Sequence, residues 1–327
     1  MKCLSLPTRA YVMMALCALS LPMSVHAQTS YPDKPITLVV PFTPGSGSDI
    51  VARIIAKGLN DSMKATLIIE NKPGANGALG AQAVARAKPD GYTLLLGSAT
   101  TNAVNYAFYP GKLGYEPTSF DIVAGLGASD VSMYINTGQP WKNAQDLIAE
   151  AKKNPGKLSC GSGNAVTQVA CEFFKRRAGI DVVTVPYKSN SQSLTDLAGG
   201  QLAFAFSDST AAQALVASKK VRSLASAGEK RNPVAPEVST FAEQGMKDFE
   251  FTAWTAVFAP AGIPLPVAEK LNAAINKISD GAEMVQLRSK AGSTPLVMDL
   301  TGAKRFVNRE IGSWKKYIEE TGVKAEQ

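Results

Sequence analysis

Short apolar runs alternate with amphipathic stretches through the first third of the chain. The run Ile36–Val40, enclosed by two prolines, predicts a buried strand. Apolar residues then recur at helical spacing and predict a helix whose buried face carries Ile50, Val51, Ile54, Ile55 and Leu59. Residues 66–70 and 92–96 predict two further strands with a helix between them. Strands separated by helices indicate a largely parallel sheet covered on both faces.

The rest of the chain predicts a second set of such units. Extended stretches without a helix between them suit a crossing into a second lobe, and we predict them at 120–126 and 131–136. A helix over 142–153 follows, and further strands are predicted at 157–160, 182–185, 201–206 and 221–226. A long extended stretch at 249–259 suits the return crossing. After Pro264 the chain is predicted to be helical to its end, with an apolar stripe that packs on the first lobe and consists of Val307, Ile311, Trp314 and Ile318.

The length of 327 residues exceeds what one hydrophobic core usually organises, which favours two lobes. The predicted fold class is therefore α/β, with two lobes and a ligand cleft between them. We predict a signal peptide over 1–27, a first lobe over 28–126, a second lobe over 127–250 and a return to the first lobe over 251–327.

The turn after the first strand has the composition of an anion site. Pro44 and Gly45 predict a tight turn, and the spacing of Ser46 and Asp49 predicts a capping box in which each side chain binds a free backbone N–H. The free N–H groups of the first helical turn and the positive end of the helix dipole then point beyond the end of the strand. An anion is the expected occupant. Arg53, four residues after Asp49, is its predicted helical partner.

The first 27 residues have the features of a cleavable secretory signal. Lys2 and Arg9 precede an apolar stretch that is too short to cross a bilayer comfortably, and small residues stand at positions 25 and 27. Cys17 follows a leucine, which fits lipoprotein processing poorly and favours a soluble product. We therefore expect cleavage between Ala27 and Gln28 and a periplasmic mature protein.

Charge and histidine content exclude several functions. The chain carries 34 Lys and Arg against 27 Asp and Glu, a net charge of +7, and loss of Lys2 and Arg9 with the leader would leave 32 against 27, or +5. This mild positive charge would help to attract anionic solutes, but no basic run interleaved with aromatic residues supports nucleic-acid binding. His26 is the only histidine and would leave with the leader. The mature chain would then lack the base of Ser-His-Asp or Cys-His catalysis and the commonest transition-metal ligand. We predict no catalytic residue, no metal and no cofactor.

Cys160 and Cys171 would be the two cysteines of the mature chain. In an oxidising compartment they predict one disulfide, which would tie the end of a strand to the following helix. The alternative is two buried thiols.

Nucleotide and nucleophile motifs find no support. The spacing of Gly74, Gly77 and Gly80 does not fit G-x-G-x-x-G, and neither a P-loop nor a G-x-S-x-G elbow is present. Asp49 is interpreted mainly as a helix cap, whereas Asp208 is either a ligand-facing acceptor or a turn residue. A polar wall of the site, or alternatively a set of helix caps, is predicted from Ser98, Thr100 and Asn102. The tryptophans are interpreted as packing residues, although Trp254 could approach the cleft.

Several motifs in fixed order resemble the Bug family of extracytoplasmic solute receptors, which serve tripartite tricarboxylate transporters. The resemblance covers nearly all of the predicted mature chain. It rests on Tyr31-Pro-x-Lys-Pro-Ile36, Asp49-x-x-x-Arg53, Glu70-Asn-Lys-Pro-Gly-Ala-Asn-Gly77, Lys88-Pro-Asp-Gly-Tyr-Thr-Leu94, Val185-Pro-Tyr-Lys188, Gly199-Gly-Gln201 and Ala259-Pro-Ala-Gly-Ile-Pro264.

The resemblance implies a Venus flytrap-like periplasmic binding protein, type II-like, that holds a small carboxylate between two strand-to-helix turns through backbone N–H groups and ordered water. The first turn would comprise Thr43, Pro44, Gly45, Ser46, Gly47, Ser48 and Asp49. The facing turn would comprise Gly163, Asn164, Ala165, Val166, Thr167 and Gln168. The sides would be lined by Ser98, Thr100, Asn102, Ser207 and Asp208.

Two departures from the family pattern prevent a transfer of the particular ligand. Ser46 stands where many members have a second glycine, and residues 164–168 lack the histidine that many members carry.

We therefore expect a receptor for a mono- or dicarboxylate, aliphatic or aromatic, that acts as a monomer with the membrane subunits of a transporter. Because the turns carry no basic residue, binding is expected to use helix N-termini rather than a buried lysine or arginine. The alternatives are a receptor of the same fold that signals to a sensor protein, and a secreted hydrolase or lyase that uses Asp49 and Asp208.

Overall fold

The first strand, the turn after it and the following helix form the unit on which the first sheet is built. The computed structural model describes residues 31–322, and the fold lies in a compact unit that begins at Lys34. Strand β1 (Ile36–Val40) is almost wholly buried. Helix α1 (Gly47–Met63) buries Val51, Ile55 and Leu59, as its apolar spacing predicts. The predicted signal peptide lies outside the described residues.

Alternating strands and helices continue along the chain. The first part contains β2 (Leu67–Asn71), α2 (Ala78–Ala85), β3 (Thr93–Ser98), a π-helix (Thr100–Val104), α3 (Asn105–Phe108), a 3-10 turn (Pro117–Ser119) and β4 (Phe120–Asn136). The middle contains α4 (Ala144–Lys153), β5 (Ser159–Ser162), α5 (Ala165–Ala178), β6 (Val183–Pro186), α6 (Asn190–Ala198), β7 (Phe204–Asp208), α7 (Ser209–Ala217) and β8 (Val221–Ser226). The last part contains β9 (Thr252–Pro260), α8 (Leu265–Ser279), α9 (Ala282–Ala291), β10 (Thr294–Pro295) and α10 (Leu300–Thr321).

Strand β4 is shared by two sheets. Its first part pairs antiparallel with β9, which in turn pairs with β3, and β1 and β2 complete this first sheet in parallel. Its second part, from Val131 onward, pairs with β7 and β8, and β5 and β6 lie beyond β7 in parallel. The strand order is β2-β1-β3-β9-β4-β7-β5-β6. The fold is thus the predicted α/β fold of a two-lobed binding protein, while the exact lobe boundaries stay a prediction.

Three sequence-based assignments differ from the structure. The two extended stretches predicted around residue 128 form one strand of 17 residues, in which shifts of register near Val123 and Leu126 accommodate the glycines between them. Residues 100–108, for which no helix is predicted, are helical. The C-terminal part is not helical throughout, because Thr294 and Pro295 pair with Ala128 and Gly127 at the edge of β4.

Aromatic residues join the last helix to the core. Phe174, which is fully buried, contacts the rings of Phe204, Phe206, Phe241 and Phe249. On α10, Tyr317 packs edge-on against Phe173 of α5 and against Phe251. Val307, Trp314 and Ile318 of the stripe predicted on α10 are buried in the same cluster, so the stripe is a packing surface, and Tyr317 beside it contacts α5. Within residues 31–322, no helix combines the length and apolar character needed to cross a bilayer.

Candidate functional site

The first turn ends in a helix cap that leaves two backbone donors free. Ser46 is the N-cap of α1, and its Oγ accepts the N–H of Asp49 at 3.2 Å. The N–H groups of Gly47 and Ser48 precede the first acceptor that the helix itself can offer. The predicted capping box is only half correct, because the Asp49 carboxylate accepts the N–H of Gly45, at 2.9 Å, and not that of Ser46.

Asp49 is a buried charge whose partners fix the first turn. Its side chain is 2% exposed and forms an ion pair with Arg53, at 2.8 Å between Oδ2 and Nε. Asn71, at the end of β2, donates to Asp49 Oδ1 and to the carbonyl of Phe42, both at 3.0 Å. Burial alone would raise the pKa of Asp49, but the hydrogen bonds from Arg53, the Gly45 N–H and Asn71 outweigh it and hold the pKa below its ordinary value. Asp49 is thus ionised, and its hydrogen bonds hold the turn in its conformation.

The second turn is built with neutral groups. Asn164 is the N-cap of α5, and it forms a reciprocal capping box with Thr167. Its Oδ1 accepts the Thr167 N–H at 3.0 Å, and Thr167 Oγ1 accepts the Asn164 N–H at 3.2 Å. The N–H groups of Ala165 and Val166 are left without an intrahelical acceptor, as at α1. No acidic residue stands in the first turn of α5, so the positive end of its dipole is not offset by a local carboxylate.

Asn190, the first residue of α6, ties the second turn to α7. Its Oδ1 accepts the Gly163 N–H at 3.1 Å, and its Nδ2 donates to Asp208 Oδ2 at 2.9 Å. Asp208 is in turn the N-cap of α7, where Oδ1 accepts the Ala211 N–H at 2.9 Å. Three helix N-termini are therefore joined by one hydrogen-bonded network. Asn190 is not among the predicted site residues, although Ser189 before it is an N-cap residue of the usual type.

The first turn also contacts the start of α6 directly. Thr43 Oγ1 donates to Ser189 Oγ at 2.7 Å, and Ser191 Oγ donates to the Gly45 carbonyl at 2.9 Å. A methyl group on Gly47 would lie 3.0 Å from Asp208 Oδ1. The turn after β1 and the helices after β6 and β7 are thus in contact across the cleft.

A cavity of about 80 Å³ lies where these helix starts meet the strands. Its floor crosses three neighbouring strands, since Ser98, Thr255 and Gly127 are aligned in the register of β3, β9 and β4. The lining residues are Phe42, Gly47, Ser48, Val51, Ser98, Ala99, Thr100, Leu126, Gly127, Ala128, Ser129, Val131, Asn164, Val166, Thr167, Asn190, Asp208, Thr210, Ala253, Trp254, Thr255, Met284, Leu287, Arg288 and Ser293.

The structure brings eight of the predicted site residues to this cavity, namely Gly47, Ser48, Ser98, Thr100, Asn164, Val166, Thr167 and Asp208. Ten others do not line it, namely Thr43, Pro44, Gly45, Ser46, Asp49, Asn102, Gly163, Ala165, Gln168 and Ser207. Most of this second group belong to the two turns but lie on the side that faces away from the cavity. Asn102 differs, because the π-helix after Ser98 carries it to a separate cavity beside Tyr106, Phe120 and Lys304.

Trp254 lines the cavity, as the sequence left open, and Arg288 lines it without any signal in the sequence. Trp254 is 2% exposed and donates from Nε1 to Glu310 Oε2 at 3.0 Å, so it combines packing with a place in the cavity wall. Arg288, on α9, is 8% exposed. A helix distant in sequence thus supplies the cavity wall with a buried arginine that the two turns do not reveal. That binding uses helix N-termini rather than a buried lysine or arginine stays a prediction.

The acid pair of the enzyme alternative does not form. Asp208 lines the cavity, whereas Asp49 does not and is already bound by Arg53 and Asn71. In the described part of the chain, no group of three or more His, Cys, Asp or Glu residues is arranged to hold a metal ion. Cys160 of β5 and Cys171 of α5 are joined by a disulfide, with their Cα atoms 6.2 Å apart, and this bond fastens α5 to the strand before it.

The fold and site define a two-lobed solute-binding protein, in which helix N-termini converge on a small cavity between two sheets. The model of the tripartite tricarboxylate transporter family receptor (TctC) matches residues 51–323, and the chain belongs to this family. The resemblance seen in the sequence motifs is thereby confirmed. The protein is a solute-binding receptor of the tripartite transporter class, and the enzyme alternative is wrong because this family is one of receptors.

Similar proteins cover almost the whole chain. BugT of Bordetella pertussis (strain Tohama I) is 31% identical over 318 residues, which is 96% of each chain. The solved structure of MatC from Rhodopseudomonas palustris with bound malate has a TM-score of 0.83 and 30% identity, covering 88% of this chain and 100% of that one. Another R. palustris protein, solved with adipate, has a TM-score of 0.85 and 30% identity, covering 90% and 99%.

Proposed function

We propose that this receptor captures a small organic carboxylate in the cavity described above and presents it to the membrane subunits of a tripartite tricarboxylate transporter. The observation that carries the proposal is the convergence of α1 and α5, each with a side-chain cap on its third N–H and with two free N–H groups before it. Such donors and the positive ends of helix dipoles favour an anion. The malate and adipate in two structural relatives support a carboxylate as the anion.

The proposed binding residues are the cavity-lining members of the two turns and of the strand end after β3. The N–H groups of Gly47 and Ser48 would bind from the first turn, and that of Val166 from the second. The free N–H of Ala165, which does not line the cavity itself, would add to the positive end of α5 next to it. Asp49, which lies behind the first turn, and Asn190, which lines the cavity and accepts the Gly163 N–H, would hold these donors in place. The ligand would bind more tightly to the arrangement in which the turns meet, and this difference would drive closure of the two lobes.

The cellular setting follows from the same proposal. The chain would be exported by its signal peptide, cleaved near Ala27 and act as a monomer in the periplasm. The closed receptor would then be recognised by the membrane subunits.

A panel of carboxylates with matched neutral amides tests the ligand class. Malate, succinate and adipate are screened by thermal shift and calorimetry. We expect at least one carboxylate to raise the unfolding temperature. A ligand present at 100 times its Kd stabilises the folded protein by about 2.7 kcal/mol. The corresponding diamides and neutral sugars should have no effect. Binding of neutral sugars, with no response to any carboxylate, would contradict the proposal.

A proline at the first position of α5 tests the use of backbone donors. Ala165→Pro removes one N–H, and the extended conformation of Asn164 is compatible with a following proline. Loss of one charge-assisted hydrogen bond should weaken binding roughly tenfold or more. Leu300→Pro, at the first position of the distant helix α10, is the matched control and should bind normally. Equal affinities for both variants would exclude a contribution of the Ala165 N–H to binding.

A further inference from the structure

Arg288 is a buried guanidinium at the edge of the proposed site. It lines the cavity together with Met284 and Leu287 from the same helix. Of the described residues that line the cavity, only Asp208 and Arg288 carry a charge, and Asp208 is occupied by its bonds to Ala211 and Asn190. Arg288 is therefore the cationic group of this wall.

The protein satisfies this guanidinium only in part. Nη1 donates to the Leu126 carbonyl at 3.4 Å and to Ser279 Oγ at 3.3 Å, and Nη2 donates to the Ser279 carbonyl. An arginine has five N–H donors, so two of them, including Nε–H, find no acceptor in the described part of the chain. No carboxylate of the described residues lies within ion-pair distance of it, although the more distant Asp280 carboxylate raises the pKa of Arg288 against a larger lowering by burial.

These contacts are also what a purely structural arginine would make. Ser279 is the last residue of α8, and a guanidinium at a helix C-terminus is favoured by the helix dipole. A carbonyl and a hydroxyl are weak compensation for a full buried charge, however, since buried charges are normally paired with an opposite one. The position of Arg288 in the cavity wall leaves a place for that opposite charge in the ligand.

The stem of Arg288 passes close to a glycine of the cavity floor. Gly127 of β4 lines the cavity, and a methyl group there would be 3.7 Å from Arg288 Cδ and 3.2 Å from the Thr294 carbonyl. Helix α9, which carries Arg288, also packs against α1 and α7. Arg288 therefore lies in the cavity wall on a helix that contacts α1, whose first turn belongs to the proposed site.

We propose that Arg288 binds a second carboxylate of the ligand and makes the receptor selective for dicarboxylates over monocarboxylates. This inference rests on the proposed function, because it assigns the first carboxylate to the helix N-termini. A guanidinium binds a carboxylate through two parallel N–H···O bonds. Malonate, succinate and glutarate form a series of increasing chain length with which the spacing between the two carboxylate sites can be measured.

Calorimetry with matched ligand pairs tests the inference. Each dicarboxylate is compared with its monoamide, for example succinate with succinamate, which differs only in the charge of one end. We expect the wild-type protein to prefer the best-bound dicarboxylate by roughly tenfold or more. Arg288→Met should lose this preference while it still binds the monoamide, and Arg288→Lys should retain part of it. Lys290→Met removes a charge from an exposed position of the same helix and should leave the preference unchanged.

The outcomes separate this inference from the proposed function. If the wild-type protein binds neither carboxylates nor monoamides, the proposed function itself is wrong. If it binds both members of every pair equally, or if Arg288→Met keeps the preference, Arg288 has only a structural role. A structural role would weaken both ligands of a pair by the same factor, and the calorimetric stoichiometry reports the fraction of each variant that is folded.

Discussion

The two turns that face the cavity both present free N–H groups at a helix start, but different side chains hold them in place. Each places two free N–H groups at the start of a helix, and each is braced by an asparagine from the next unit of the fold, Asn71 in one case and Asn190 in the other. The first turn uses a buried ion pair between Asp49 and Arg53, whereas the second uses the neutral pair Asn164 and Thr167.

This difference decides where an anion is attracted more strongly. A carboxylate in the first turn of a helix already interacts with the positive end of its dipole. The negative charge of Asp49 therefore offsets part of the positive potential at the N-terminus of α1. The positive charge of Arg53 in turn offsets part of the charge of Asp49. At α5 no such carboxylate is present. We expect α5 to contribute more of the electrostatic attraction for the ligand, and α1 to contribute mainly positioned donors.

The largest effect is expected from a methyl group in the second turn. In Gly163→Ala the new Cβ would lie 2.0 Å from the backbone nitrogen of Asn190 and 2.1 Å from the carbonyl carbon of Ser189. Because both contacts are with backbone, the turn and α6 must separate, at a cost of about 3 kcal/mol or more. Urea unfolding measures this cost, and calorimetry should show that carboxylate binding is lost.

Gly45→Ala is the counterpart in the first turn. No heavy atom lies within 4 Å of its added Cβ, although the positive φ of 78° causes strain of about 1–2 kcal/mol. The first turn should therefore tolerate the change better than the second. Equal losses of stability in the two variants would show that the turns are not as different in packing as their contacts indicate.

The second expected effect is a loss of stability when the charge of Asp49, behind the first turn, is removed. The Asp49 carboxylate accepts four hydrogen bonds, from Gly45, Asn71 and twice from Arg53. Asp49→Asn offers one acceptor oxygen and turns an amide group toward some of these donors. We expect a loss of about 2 kcal/mol, mainly from the buried partners, because Arg53 is 60% exposed and its contribution is screened.

The pH dependence of stability isolates this charge. The pKa of Asp49 is lower in the folded protein than its ordinary value of 3.8, so its stabilisation is present above that value and is lost as the pH falls through the folded-state pKa. The gap in unfolding temperature between wild type and Asp49→Asn should narrow when the pH falls from about 6 to about 2.5. Asp61→Asn, at an exposed position of the same helix, is the control, and a gap that does not change with pH would rule out an ionised Asp49.

The sequence predicts the local half of this site and misses the part that depends on tertiary structure. Ser46, Asp49 and Arg53 are neighbours on one turn and helix, so their spacing alone predicts their contacts, apart from the choice of Gly45 as the donor to Asp49. Arg288 reaches Leu126 across more than a hundred residues. Its place depends on how α8, α9 and β10 fold back on β4, and no periodicity in the chain encodes that path.

The same distinction explains the errors in secondary structure. Strand β4 contains two shifts of register near its glycines, and these interrupt the apolar pattern, so that one long strand resembles two. Residues 100–104 form a π-helix, whose period differs from the 3.6 residues by which helices are recognised. The edge pairing of Thr294 and Pro295 is too short to leave a pattern of its own.

The smallest effect is expected from the contact between the first turn and α6. Ser191 donates to the Gly45 carbonyl across the cleft, at 2.9 Å, and Ser191→Ala removes this bond without a change in either turn. If release of the ligand requires the turns to part, the variant should dissociate from its carboxylate about two to five times faster, which is the value of one solvent-exposed hydrogen bond. Stopped-flow measurement of the dissociation rate provides the readout.

Ser62→Ala is the control variant. It removes a serine hydrogen bond of similar length within α1, to the Gly58 carbonyl, and should leave the dissociation rate unchanged. Because the two variants lose the same type of bond, a faster rate in Ser191→Ala alone would assign the effect to the cleft, whereas equal rates in both variants and wild type would mean that the ligand leaves without separation of the first turn from α6.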